Sequence, residues 1–181
     1  MRTEAIDTGG VELVLPPKPE ALPTLGQGIL TDIAAGLACS LEPDGMDFDL
    51  GSQRRYARLL HTPAYEAWLI AWPPAPDLAL HDHGGSQGVF HVASGTLFEA
   101  HADLVDPTPL RMLSFGAGEG RYVAPTLVHR VWNPGPADAV SVHVYSPPLT
   151  SMTFYDHRAG TFLAPLRTEL VEGTPEAGVG P

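Results

Sequence analysis

The sequence His81-Asp82-His83-Gly84-Gly85-Ser86 sets two imidazoles two residues apart in a segment that reads as strand. Side chains along a strand alternate faces, so His81 and His83 point to one side and Asp82 to the other. Imidazoles on one face can hold a metal, and the small residues Gly84, Gly85 and Ser86 leave room around it. A third imidazole, His129, arrives in a later apolar segment, 122–131. Three neutral imidazoles suit Fe(II), Zn(II), Ni(II) or Cu(II), and spacing alone does not choose among them. An HxH pair in a strand is also found as two polar residues on a wet face, so the surrounding chain has to carry the argument.

On the N-terminal side, Tyr65 to Trp72 (Tyr-Glu-Ala-Trp-Leu-Ile-Ala-Trp) reads as a strand rich in aromatic and β-preferring residues, and the prolines at 73, 74 and 76 turn the chain into the HxH segment. Residues 53–60 read as a helix end or a strand opening. On the C-terminal side come 88–92, 95–101, 110–115, 122–132 and 139–145, short apolar segments separated by Gly, Pro, Asp and Asn. That spacing predicts an all-β sandwich or barrel, with no βα alternation. Ile29, Leu30, Ile33, Leu37 and Leu41 recur at helical spacing until Pro43-Asp44-Gly45, so one helical segment precedes the strands. Cys39 in this segment is read as a small buried hydrophobe. The expected division is an arm and helical segment over 1–50 packed on the barrel, a barrel over 51–165, and a tail over 166–181 in a single domain.

The length of 181 residues suits one domain. Nineteen glycines and nineteen prolines fit a turn-rich β protein. Ten basic against 21 acidic residues, a net charge of −11, argue against nucleic acid and against anionic membranes as partners. No apolar run approaches the ~20 residues that span a bilayer. The N-terminal residues lack the pattern of a signal peptide, and Cys39 is the single cysteine, so a cytoplasmic location is expected.

His81-x-His83 followed by Gly95 resembles the first motif of the cupin β-barrels, and Pro125, His129 and Asn133 resemble the second. Where many cupins supply a glutamate ligand, this chain has Gln87 or Gly88. Three histidines without a carboxylate are similar to the ligand set of the thiol dioxygenases. Ser141-Val-His143-Val-Tyr145-Ser146-Pro147-Pro148 and Met152-Thr-Phe-Tyr155-Asp156 resemble bacterial cysteine dioxygenase and its mercaptopropionate-oxidising relatives, from about Arg54 to Asp156. The resemblance implies an all-β cupin, a small barrel or jelly roll, with a short N-terminal helical segment. It implies Fe(II) held by His81, His83 and His129, with Ser141, His143 and Tyr145 as a hydrogen-bonded trio whose tyrosine hydroxyl lies over the open metal face. It implies a substrate side formed by Tyr56 and Arg58, the arginine gripping a carboxylate in the cysteine-oxidising branch where the mercaptopropionate branch carries glutamine. The cysteine that crosslinks to the tyrosine in mammalian enzymes falls on Gly88, so no such crosslink forms here. Ser146-Pro147 is expected to be cis by the same resemblance.

The implied activity is oxidation of L-cysteine with O2 to its sulfinic acid, with 3-mercaptopropionate or another small thiol acid as the alternative substrate. A metal-binding cupin that senses or binds without turnover is the alternative from a different class. Three facial imidazoles leave metal positions free for a thiolate, an amine and O2, so proximity replaces a difficult encounter. A planar two-donor guanidinium then suits the substrate carboxylate. His61, His91, His101 and His157 are read as surface or core histidines, and Trp68, Trp72 and Trp132 as core or cavity wall. The expected partners are a small thiol and O2, with the protein a monomer and a dimer as the alternative.

Overall fold

The structure is a computed structural model and describes residues 23–41, 53–74, 78–105, 110–158, 162–171 and 178–179. It is mostly β and cupin-like, with one N-terminal helix. The helix, α1 (Gln27–Ser40), buries Leu30, Ala34 and Ala38, one residue per turn on a single stripe. Gly36 lies on its exposed face, where its missing side chain leaves no hole in the core, although the helix still gives up about 0.5–1 kcal/mol relative to alanine. Cys39 is exposed, against the expectation that it is buried, because the buried stripe runs through Ala38 and the next residue turns about 100° away.

The strands are β1 (Arg55–His61), β2 (Glu66–Trp72), β3 (Gln87–Ser94), β4 (Thr96–Asp103), β5 (Arg111–Gly116), β6 (Gly120–Val123), β7 (Leu127–Trp132), β8 (Ala139–Ser146), β9 (Ser151–Arg158), β10 (Phe162–Leu170) and β11 (Gly178–Val179). One sheet has the order β11-β1-β2-β8-β3-β6; opposite it stand β5-β4-β7 and the hairpin β9-β10. The expected single segment over 122–132 is two strands in two sheets. Pro125 and Thr126 form the turn between them, since proline cannot continue a ladder that needs its N–H. Residues 166–181 were expected as a tail, yet β10 runs to Leu170 and β11 pairs Gly178 with Tyr56 and Val179 with Arg55.

β8 explains how the two layers of core arise. Every residue of Ala-Val-Ser-Val-His-Val-Tyr-Ser is buried. Val140, Val142 and Val144 face α1 and pack with Leu30, Ala34, Leu69 and Val89, while Ser141, His143 and Tyr145 alternate to the barrel interior. A second cluster around Trp72, Phe90, Leu97 and Val131 fills the space between the sheets. Asn133 closes the loop after β7, donating to Trp72 O at 2.9 Å and Ala137 O at 2.7 Å and accepting from Gly135 N at 2.8 Å.

The HxH stretch is not itself a strand. His81 makes isolated bridges to His129 and Phe154, so residues 80–82 fill the slot between β7 and β9 and complete the second wall of the barrel. Gly84 then turns the chain at φ +59°, and a Cβ there would stand 2.6 Å from Ser151 O. Gly84→Ala is therefore expected to cost about 1–3 kcal/mol from backbone strain, with the collision adding to it. Urea unfolding of the variant reads this directly, and a stability equal to that of the parent would contradict the close packing of this turn.

Candidate metal centre

His81 is fixed by its backbone, which exchanges two hydrogen bonds of 2.9 Å with His129. Leu80 O accepts from Tyr155 N at 2.8 Å, and Asp82 N donates to Thr153 O at 2.9 Å, so β7 and β9 clamp the stretch from both sides. His83 follows at the start of the Gly84 turn, and His129 stands in the middle of β7. All three rings are 2% exposed, and their candidate ligand nitrogens lie within 4.8 Å of one another. Asp82 points away, as alternation requires. Its carboxylate accepts from Gly84 N at 2.9 Å, Thr153 N at 3.2 Å and the Tyr155 hydroxyl at 2.6 Å, which braces the turn. Partial burial and the Asp82 carboxylate push the Tyr155 hydroxyl up to about 12, so it stays a donor.

Hydrogen bonds behind two of the rings select the tautomer that leaves a lone pair in front. His81 Nδ1 donates to Ala79 O at 2.8 Å, and His129 Nδ1 donates to Glu99 Oε1 at 2.7 Å. His129 Nε2 faces His83 Nε2 at 3.2 Å. Burial, reinforced by the neighbouring histidines, holds His81 and His83 well below the ordinary imidazole range, so both are neutral near pH 7. The lone pairs of His81 and His129 thus meet the His83 ring in one buried place, and a cation that takes a nitrogen from each ring would complete the arrangement. The donor set therefore fits a divalent metal of the kind that takes imidazole.

Beside the histidines runs the row on β8. Trp72 Nε1 donates to Ser141 Oγ at 2.9 Å, Ser141 Oγ lies 2.9 Å from His143 Nε2, and His143 Nδ1 lies 3.3 Å from the Tyr145 hydroxyl. Burial pushes His143 down to about 3, so the ring is neutral with one N–H to place. Ser141 is fully buried and already accepts from Trp72, so its proton goes to His143 Nε2. The remaining N–H, at Nδ1, donates to Tyr145. The tyrosine proton is thereby free to point into the cavity, and burial together with Glu66 raises Tyr145 so that it keeps this proton. The Tyr145 ring stands edge-on to His83 with centroids 4.8 Å apart. A Cβ at Gly88 would lie 3.0 Å from Tyr145 Cδ1, so the glycine lets the tyrosine lie flat against β3.

His81, His129, His143 and Tyr145 line a cavity of about 330 Å³ whose wall includes Arg54, Tyr56, Trp68, Met152 and Phe154. The arginine in it is Arg54, four residues before the one expected. Arg54 stacks 5.0 Å above the Trp72 ring, and its Nε is buried without a hydrogen-bond partner. Arg58 is not part of the wall. Its Nη1 lies 3.8 Å from Glu66 Oε2 and its Cζ is 5.7 Å from the Trp68 ring. Glu66 is 1% exposed, and a buried carboxylate draws the nearest cation because desolvation makes its unpaired charge costly. Tyr56 lines the cavity as expected. Arg54, Tyr56 and Arg58 share strand parity, so alternation alone could not say which arginine reaches the site.

Other expectations resolve as follows. His101 is buried against Arg121, His61 is about half exposed beside Glu66, and His91 is half-buried on β3. The side chain of His157 lies outside the described residues. Trp68 and Trp72 line the cavity, whereas Trp132 packs edge-on against Phe98. Ser146-Pro147 is cis. Glu99, 0% exposed on β4, escaped the reading of the sequence although a lone carboxylate among Leu97, Phe98, Ala100 and Ala102 signals a buried partner.

A barrel with a buried three-histidine group and a polar row beside it defines a cupin-like candidate metalloprotein. Residues 46–158 match the family described as cysteine dioxygenase type I, and the chain belongs to that family. Among solved structures, the TT1209 protein of Thermus thermophilus is 15% identical over 61% of this chain and 98% of that one, with a TM-score of 0.49. A recombinant oxalate oxidase in complex with glycolate is 18% identical, TM-score 0.48, covering 55% of this chain and 54% of that one. The cupin domain of Schizosaccharomyces pombe Cnp3 is 10% identical, TM-score 0.46, over 56% and 68%. Likeness at these levels conveys nothing about substrate or chemistry. No helix among the described residues is long and apolar enough to cross a membrane.

Buried neutral histidines give the metal-free protein a defined pH response. His81, His83 and His143 take up protons in the unfolded chain below about pH 6.5 but not in the folded one. Their contribution to stability is complete above about 6.5 and is lost as pH falls toward the folded values, by up to about 1.4 kcal/mol per pH unit for each group. Urea unfolding of metal-free protein at pH 7.5 and 5.5 should give clearly lower stability at 5.5. Equal stabilities would mean that the rings are not buried in neutral form.

Proposed function

We propose that this protein is a thiol dioxygenase that oxidises L-cysteine to cysteine sulfinic acid at Fe(II) held by His81, His83 and His129. The observation that carries the reading is the convergence of three buried imidazoles beside the Ser141–His143–Tyr145 row. Membership of the cysteine dioxygenase type I family supports it. When bound, the iron supplies a centre at which a thiol sulfur and O2 meet and exchange electrons. The net change is RSH + O2 → RSO2H: both oxygen atoms are retained, sulfur gives up four electrons, and no external reductant is needed.

The chain's own residues supply binding, orientation and a proton. Arg54 takes the role expected of Arg58: its Nε is buried without an acceptor, and a planar guanidinium beside an apolar wall is completed by a carboxylate. Trp72, below that guanidinium, holds it in place by stacking. The Tyr145 hydroxyl offers its proton across the cavity to oxygen or substrate, oriented by His143 and Ser141. Ile70, Leu78, Met152 and Phe154 exclude water, which strengthens each of these polar contacts.

One observation favours 3-mercaptopropionate or another thiol acid as the second reading. Glu169 is the sole carboxylate among the described cavity-lining residues, and Arg167 engages it at 2.6 Å. The wall therefore provides a partner for a substrate carboxylate but no free one for an ammonium, so the cysteine amine would have to bind at the metal as the neutral base, a demand that a thiol acid does not make.

The experiment is anaerobic loading with Fe(II), then O2 uptake and product mass with L-cysteine and 3-mercaptopropionate side by side. A product heavier by two oxygens from cysteine, strongly preferred, supports the first reading, and preference for mercaptopropionate supports the second. No O2 uptake with either thiol by the iron-loaded protein overturns the enzyme reading in favour of a binding cupin. Arg54→Gln is expected to raise KM about 10- to 100-fold through loss of a charged hydrogen-bonded contact, whereas Arg58→Gln should change KM less than about threefold. The reverse pattern would return the clamp to Arg58. Tyr145→Phe should lower kcat about 100-fold with little change in KM.

A further inference from the structure

The three imidazoles differ in what stands behind them. His81 donates to a backbone carbonyl, that of Ala79, at 2.8 Å, and His83 Nδ1 is buried with no hydrogen-bond partner. His129 alone among the three donates to a carboxylate, Glu99 Oε1 at 2.7 Å. Glu99 is 0% exposed in the central strand of β5-β4-β7. A carboxylate in such a place costs several kcal/mol unless it is paired and hydrogen-bonded. Its second oxygen is met by Arg121 Nη1, which also lies 2.9 Å from His101 Nδ1. A guanidinium on one oxygen and the His129 N–H on the other are the partners an ionised carboxylate takes in a buried place.

The arrangement has a consequence for charge. Three neutral imidazoles bring no charge to a divalent cation, and among the described residues the candidate ligand group contains no carboxylate. We propose that Glu99 is a positioning residue of the metal centre, supplying through His129 the negative charge that the ligand set lacks, and that Arg121 limits how much of that charge reaches the metal. Hydrogen bonding to an anion strengthens the opposite ring nitrogen as a donor and fixes the ring's orientation. His129 is then the strongest of the three donors, His81 the next and His83 the weakest. Glu99 and Arg121 act on the metal with opposite sign: removing the carboxylate weakens the donor, and removing its countercharge strengthens it. A role confined to packing has no such opposition, because loss of either partner loosens the same cluster.

This inference rests on the three-histidine group holding a metal and not on which thiol is oxidised, or on whether any is. The test is the affinity of the full-length metal-free protein for Co(II) and, anaerobically, Fe(II), measured in competition with a chromophoric chelator. Circular dichroism and thermal unfolding of the metal-free variants establish that each folds. Glu99→Gln, which still offers an oxygen to His129 but no charge, is expected to bind about 10- to 100-fold more weakly and to shift the visible bands of bound Co(II). Arg121→Met, which keeps an apolar stem, is expected to bind more tightly than the parent. Affinity of Glu99→Gln within about threefold of the parent overturns the proposal, as does weaker or unchanged binding by Arg121→Met. If Glu99→Gln does not fold, the sign of the Arg121→Met effect decides alone. A parent protein that binds neither metal overturns both this inference and the metal-centre reading. Normal metal behaviour without thiol oxidation leaves this inference standing and removes only the dioxygenase reading.

Discussion

Three imidazoles drawn together inside an apolar barrel are the constraint around which the molecule is arranged. Two rings come from a short stretch with almost no strand structure of its own, and one comes from the centre of β7. Holding them together requires residues 80–82 to be gripped on both sides, by His129 and by Thr153 and Tyr155. It also requires a sharp turn at Gly84 and a carboxylate, Asp82, buried beneath it. The middle of the six-stranded sheet, at β8, is buried on both faces for the same reason. α1 and the valines of β8 close the outer side, which frees the inner side of β8 to carry polar groups. Without that outer layer, a strand carrying Ser141, His143 and Tyr145 would have only one face to bury and little to hold it in register.

Much of this could be read from residue order. The period of two fixes which of His81, Asp82 and His83 face together, and the same rule sets Ser141, His143 and Tyr145 in one row. Helical spacing of Ile29, Leu30, Ile33, Leu37 and Leu41 located α1, although the stripe it buries runs through Leu30, Ala34 and Ala38 and leaves Ile29 exposed. What alternation cannot do is measure distance along a face. Arg54, Tyr56 and Arg58 are equivalent to it, and only the placement of Glu66 on the neighbouring strand separates the arginine that lines the cavity from the one held outside. Nor could spacing reveal that 120–132 belongs to two sheets, since a proline in an apolar run marks a break without giving the direction taken afterwards. Glu99 was missed for a related reason: its partner His129 is 30 residues away, and cross-strand pairing is a property of register that a single sequence does not display.

The distribution of charge around the cavity gives the site its chemical character. The protein is strongly acidic, yet its cavity presents an arginine, and the two deeply buried carboxylates nearby are each turned to an inward task. Glu66 takes Arg58 and accepts from Leu149 N at 2.9 Å, anchoring the segment that carries a cavity-lining leucine. Glu99 takes His129 and Arg121. The proposed thiol-acid substrate would match this distribution, with its sulfur at the metal and its carboxylate at the arginine.

The most direct measurement of the central claim is equilibrium dialysis of the metal-free protein against Fe(II) without oxygen, alongside His83→Ala. The expected result is one iron per chain in the parent and none held by the variant, with both proteins folded. A parent that retains no iron, or a variant that retains as much as the parent, would contradict the assignment of the three histidines as a metal centre.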